Sequence, residues 1–149
     1  MRYFTPDSAS RLLPLLRRIA QDLIEVHAEL RNRDFLMLKL SKEERGLGTP
    51  VPHAEELAEM RASLQASKQR MSEIQTELAS LGVLVHLPAA GVLDFPARLE
   101  EREVRLCWMP GDPSVAHWHE LGESIGCRRS ISEHHFSTDQ NPVKSPANA

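Results

Sequence analysis

Cysteine is nearly absent from this chain. Cys107 and Cys127 are the only two, and they form no Cys-x-x-Cys pair, which excludes both a disulfide framework and the usual structural zinc site. An excess of positive charge is lacking too. The net charge is −3, so nucleic acid, whose phosphates call for clustered Lys and Arg, is not expected as a partner. Long apolar runs are also missing. The most apolar stretch, residues 81–95, is broken by His86, Pro88 and Asp94 and is too short to span a bilayer. Residues 1–7 hold no apolar segment of the signal-peptide kind. Together these absences predict a cytoplasmic protein with no membrane contact. A Gly-rich phosphate loop, a Gly-x-Ser-x-Gly elbow, a His-Glu-x-x-His helix and any internal repeat are absent as well, which removes the enzyme classes that carry those signatures.

What is present is ordinary globular material: 149 residues, 41% hydrophobic and 26% charged, enough for one domain with a core of its own. Thr5-Pro6-Asp7 reads as a helix start, with a capping hydroxyl, a proline suited to the first turn and a carboxylate at the positive end of the dipole. An apolar stripe follows at Leu12, Leu16, Ile19, Leu23, Val26, Leu30, Met37 and Leu40, interrupted by Arg33; its gaps fit one helix face. Pro14 lies inside the pattern and predicts a kink in the first two turns. Gly46, Gly48, Pro50 and Pro52 then break the chain. A second helix, starting near His53 or Ala54, carries Leu57, Leu64, Met71 and Leu78 at heptad spacing. Met60, Ser67, Ile74 and Leu81 fill the other seam position, where Ser67 is the one polar step. Gly82 is placed to end it. The short connection makes the two helices antiparallel neighbours, a long coiled-coil-like hairpin over about residues 6–82.

Beyond Gly82 the pattern changes to short β-like runs. Strands are predicted at residues 83–87, 91–97 and 103–109, the last alternating Val104, Leu106 and Trp108 with Arg105 and Cys107. A turn is expected at 99–102 and a stronger one at Pro110-Gly111-Asp112-Pro113. A short extended run at 115–118 and a helical turn at 120–125 follow. The fold class is therefore α+β: the hairpin, then a small antiparallel β cap over 83–131, one domain over 1–131, and a polar, disordered tail over 132–149.

The residues that resemble a known family are Tyr3-Phe4-Thr5, Leu12-Leu13-Pro14-Leu15, Gly82-Val83, Gly91-x-x-Asp94-Phe95-Pro96-Ala97, Val104-x-Leu106-Cys107-Trp108, Gly111-x-Pro113 and Trp118-His119-Glu120. With them the chain resembles, over roughly residues 3–131, the uncharacterised prokaryotic family called domain of unknown function 2203. The resemblance implies this layout and brings no activity, substrate or catalytic residue. The chain departs from the family pattern where Cys127 separates Gly126 from Arg128.

Chemistry concentrates in the β cap. In a strand, residues two apart face one side, so His117 and His119 project together. With Asp94 from a neighbouring strand and Glu120 following directly, these four form a candidate site for a divalent metal, the one cofactor the sequence suggests. The plainer alternative makes Trp118 a core anchor and His119 a cap for the turn at Glu120. Asp94, Pro96 and Arg98 share a face by the same alternation. Arg98 either clamps an anionic ligand beside Asp94 or pairs with Asp94 to fix the strand. Cys107 is a nucleophile only if His117 or His119 serves as its base, and otherwise a small buried hydrophobe. The wider candidate ligand set is Asp94, Arg98, Arg105, Cys107, Trp108 and Arg128, with no catalytic residue assigned. His86 reads as a satisfied core or edge histidine, and His134-His135 as solvated tail. Two functions follow. One is a scaffold or protein-interaction module that forms a homodimer through apolar side chains off the seam, such as Leu13, Leu15, Leu36 and Leu38. The other is a small-molecule or metal-binding enzyme with its site around Asp94, Arg98, His117 and His119.

Overall fold

The computed structural model describes residues 2–45, 54–131 and 136. Helix α1 (Pro6–Ser10) begins at Thr5. The Ser8 amide donates to Thr5 Oγ1 at 3.1 Å and the Thr5 amide to Ser8 Oγ at 2.8 Å, the reciprocal arrangement of a capping box. The kink expected at Pro14 is instead a break. Helix α1 stops at Ser10 and α2 (Leu13–Arg45) starts afresh, which places Pro14 in a first turn where the missing N–H leaves no bond unmade. Helix α3 (Ala54–Leu81) ends on Gly82 at φ 79°. The Gly82 amide bonds to Ala79 O and the Val83 amide to Leu78 O, both at 3.0 Å, the pair of bonds of a Schellman cap.

The two long helices are in contact. In α3 the buried residues are Leu57, Ser67, Ile74 and Leu78, all from the two seam positions. The polar step in each helix meets that of the other: Arg33 Nη1 donates to Ser67 Oγ at 2.6 Å and to Glu29 Oε2 at 3.1 Å. One interruption thus satisfies the other, as a buried polar group requires. Leu13, expected off the seam, is only 2% exposed and belongs to the core of its own chain.

The sheet runs in chain order: β1 (Leu84–Leu87), β2 (Val92–Leu99), β3 (Arg102–Trp108), β4 (His117–His119) and β5 (Arg129–Ser130), each antiparallel to the next. A 3-10 turn at Pro88–Ala90 joins β1 to β2. Glu100 and Glu101, both at positive φ, make the tight turn between β2 and β3. In place of the helical turn expected at 120–125, the Glu123 amide closes a turn on Glu120 O at 3.2 Å and a 3-10 helix follows at Ile125–Cys127.

Alternation gives the sheet two unlike faces. Leu93, Phe95, Ala97, Leu99, Val104, Leu106, Trp108 and Trp118 form one core with Phe4, Leu13, Leu16, Ile19 and Leu23. The Phe4 ring meets Phe95 edge-on at 5.2 Å, and the Phe4 amide donates to Pro96 O at 2.7 Å, extending the sheet edge beyond β1. The opposite face carries the polar side chains described next. Of the expected tail, only Phe136 falls within the described residues; it bridges Leu99 and stacks edge-on against Trp118. The connection 46–53 and His134-His135 fall outside them. Among the described residues no helix is long and apolar enough to cross a membrane.

Candidate metal centre

Strand register dictates who meets whom on the outer face. Asp94 pairs with Cys107 and Cys107 with His117, making one cross-strand row; Pro96, Arg105 and His119 make the next. Leu84 lies opposite Asp94 on the other side, and His86 follows two residues later, at the register shift between Val85 and Leu87. Asp94 thus stands between β1 and β3, within reach of both edges.

Two imidazoles converge on its carboxylate. His86 Nδ1 and His119 Nε2 each lie 2.9 Å from Asp94 Oδ2, and the three ligand-type atoms fall within 4.8 Å of one another. The His86 and His119 rings lie 4.9 Å apart, tilted by 55°. The site is buried: the side chains of His119 and Asp94 are 2% and 6% exposed, and His86, at 20%, is its most exposed member. Asp94 Oδ1 is buried with no hydrogen-bond partner.

The protonation pattern is constrained. His119 Nδ1 lies 2.8 Å from the Glu120 carbonyl oxygen, which can only accept, so Nδ1 carries the proton. A neutral His119 therefore aims the lone pair of Nε2 at a carboxylate oxygen, acceptor against acceptor. That contact needs positive charge between the atoms, a proton or a cation. A main-chain carbonyl that orients the far nitrogen is also the usual support of a metal-bound histidine.

The remaining candidates are placed elsewhere. Glu120, expected as an oxygen ligand, sends its carboxylate to Arg102 at 2.6 Å and serves His119 through its main chain only. His117 shares the face of His119, but its Nδ1 lies 3.9 Å from Asp112 Oδ2 and it is not part of the Asp94 cluster. Arg98 does not pair with Asp94; it donates to Glu101 O at 2.9 Å and lies over the Tyr3 ring. Arg105 is held by Glu103, which also accepts from the Tyr3 hydroxyl at 2.9 Å. Arg128 donates to Asp112 Oδ2 at 2.7 Å. Trp108 points into the core with its Nε1 on Asp112 O, so it lines no ligand site on the outer face. Cys107 is buried, and burial together with the adjacent Asp94 charge pushes its thiol up to about 12. It stays protonated near neutrality and does not act as a nucleophile there. Both cysteines are free thiols.

His86 is the member that local pattern did not single out. The signal was available in the short Pro88–Gly91 connection, which makes the first two strands neighbours and brings His86 to the strand that carries Asp94.

A family model described as "Uncharacterized conserved protein (DUF2203)" matches residues 2–131. No curated protein and no solved structure matches the chain.

Proposed function

The chain belongs to the DUF2203 family, and from its geometry we propose that it binds one divalent transition-metal cation through His86, Asp94 and His119. The observation that carries this reading is the convergence of two histidine nitrogens on one buried carboxylate oxygen, with the far nitrogen of His119 already committed to a carbonyl. Two imidazoles and a carboxylate form a set that zinc, manganese and iron all accept, and three protein ligands leave coordination positions open. Two ligands about 2.1 Å from a tetrahedral cation stand about 3.4 Å apart, so the 2.9 Å separations open by about half an ångström when the cation enters. A cation held in this way polarises a bound carbonyl or lowers the pKa of a bound water. This proposal replaces His117 and Glu120 with His86.

Native mass spectrometry and elemental analysis of protein purified without chelator test it. One cation per chain is expected, lost in His86→Ala, Asp94→Asn and His119→Ala and retained in His117→Ala. Metal-free mass that persists after addition of zinc, manganese or ferrous iron would retire the site.

A second reading concerns the helices. We propose that α2 and α3 form an antiparallel coiled-coil-like hairpin that pairs with a second copy. It is supported by Phe35 and Leu38, which stand 66% and 62% exposed on α2.

A further inference from the structure

Beside the Asp94 cluster runs an open groove of about 730 Å³. Its accessible apolar lining comes from Leu84, exposed, and Leu81 and Val85, half-buried, and its charged groups are Arg2 and Arg105, with no acidic residue along it. The volume is that of a small-molecule site. The groove adjoins the metal ligands by strand register: Leu84 lies opposite Asp94, and Pro96 and Arg105 share the cross-strand row of His119. An apolar trough whose charged groups are two guanidiniums, Arg2 and the Glu103-paired Arg105, favours a ligand with an apolar body and a single anionic head. A guanidinium presents paired N–H donors in the plane of a carboxylate. Glu103 engages Nη1 of Arg105 and so orients the guanidinium, which leaves its other N–H donors for the head group. Arg2 packs over the Phe4 ring, 4.5 Å from its centroid, and among the described residues no carboxylate pairs with it.

We propose that this groove binds a small amphiphilic carboxylate, its head on Arg105 toward the metal centre and its chain along Leu84, Val85 and Leu81. The orientation toward a cation rests on the metal reading above; binding in the groove does not. Octanoate is the probe, titrated by calorimetry and by amide shifts of the full chain stripped of metal. Saturable octanoate binding is expected, with octanol at least about tenfold weaker, the factor that one charge-assisted contact of about 1.4 kcal/mol supplies. Arg105→Gln should weaken octanoate by a similar factor. If Arg105→Gln fails to fold, Arg2→Gln, at an exposed position, reports on the same charge requirement. Octanol binding as tightly as octanoate, or both variants binding like the parent, overturns the proposal. In the manganese-loaded chain, paramagnetic relaxation should fall on the octanoate α-methylene more than on the terminal methyl; the reverse order overturns the orientation. A chain that takes up octanoate but none of zinc, manganese or ferrous iron refutes the metal centre and leaves the groove standing.

Discussion

Glu123 shows how a surface residue reaches the centre. Its carboxylate receives Arg129 Nη1 and Nη2 at 2.8 and 3.1 Å and the Glu120 amide at 2.7 Å, while the Glu120 carbonyl fixes His119. The Arg129 hydrogen bonds, then the Glu120 amide, pull the Glu123 carboxyl down to about 2 from the ordinary 4.5. The folded value lies below the unfolded one, so the contribution of this brace is present above about 4.5 and is lost as pH falls toward 2. The group is exposed, so the effect on global stability is small, and the carboxyl titration itself is the sensitive measure. Carbon-detected NMR should place the Glu123 midpoint near 2 in the native chain and move it back toward 4.5 in Arg129→Gln. A midpoint that ignores the substitution would show that Arg129 does not set it. Asp94 presents the opposite case at the same scale. Its buried Oδ1 has no hydrogen-bond partner, an arrangement that costs about 1–3 kcal/mol unless a neighbouring donor such as the Cys107 thiol turns to it.

At the scale of elements, the turn that delivers His86 depends on Gly91. This residue sits at φ 68°, and a Cβ there would lie 2.9 Å from Ile24 Cδ1 and 3.2 Å from the Ala20 carbonyl oxygen. Side-chain Ile24 can shift; the α2 backbone cannot do so cheaply. Left-handed backbone costs an L-residue about 1–2 kcal/mol, and crowding adds to it. Gly91→Ala is therefore expected to lower stability by roughly 2–3 kcal/mol in urea unfolding; an unchanged midpoint would mean that the turn relaxes away from α2. The elements themselves were legible because their causes are local. The Thr5 cap, the heptad positions, Gly82 and the alternation of Val104, Leu106 and Trp108 all act within a few residues of themselves. Pairing was not legible. That Arg33 answers Ser67, and that Asp94 collects His86 and His119 rather than Arg98 and His117, depends on register between strands and helices far apart in the chain. For the same reason the His117/His119 spacing was read correctly as one shared face, yet it did not reveal which histidine the carboxylate meets. The break at Pro14 was misread as a kink because the pattern reveals the proline but not which of two helices it opens.

The whole molecule is unevenly covered. Up to Val26 the inward face of α2 packs against the sheet and α3, but its distal half keeps apolar side chains in solvent: Phe35 is 66%, Leu36 37% and Leu38 62% exposed. Phe35 and Leu38 stand three residues apart and so form one ridge, while Met37 and Leu40 turn partly inward. A helix that is apolar around most of its circumference is normally covered, and α3 supplies cover on one side only. A second copy laid along the same ridge would bury it by a two-fold contact, in which each Phe35–Leu38 pair fills the groove of its partner. Arg31, Asp34 and Lys39 flank the ridge and form a polar rim of the kind that homodimer interfaces carry. Light scattering on the full chain at micromolar concentration is expected to return twice the chain mass. The double substitution Phe35→Glu and Leu38→Glu should return the monomer without loss of helical circular dichroism, because neither side chain belongs to the core that joins helices and sheet. A parent chain that stays monomeric across that range would leave the ridge as exposed surface and the metal centre as the remaining functional reading.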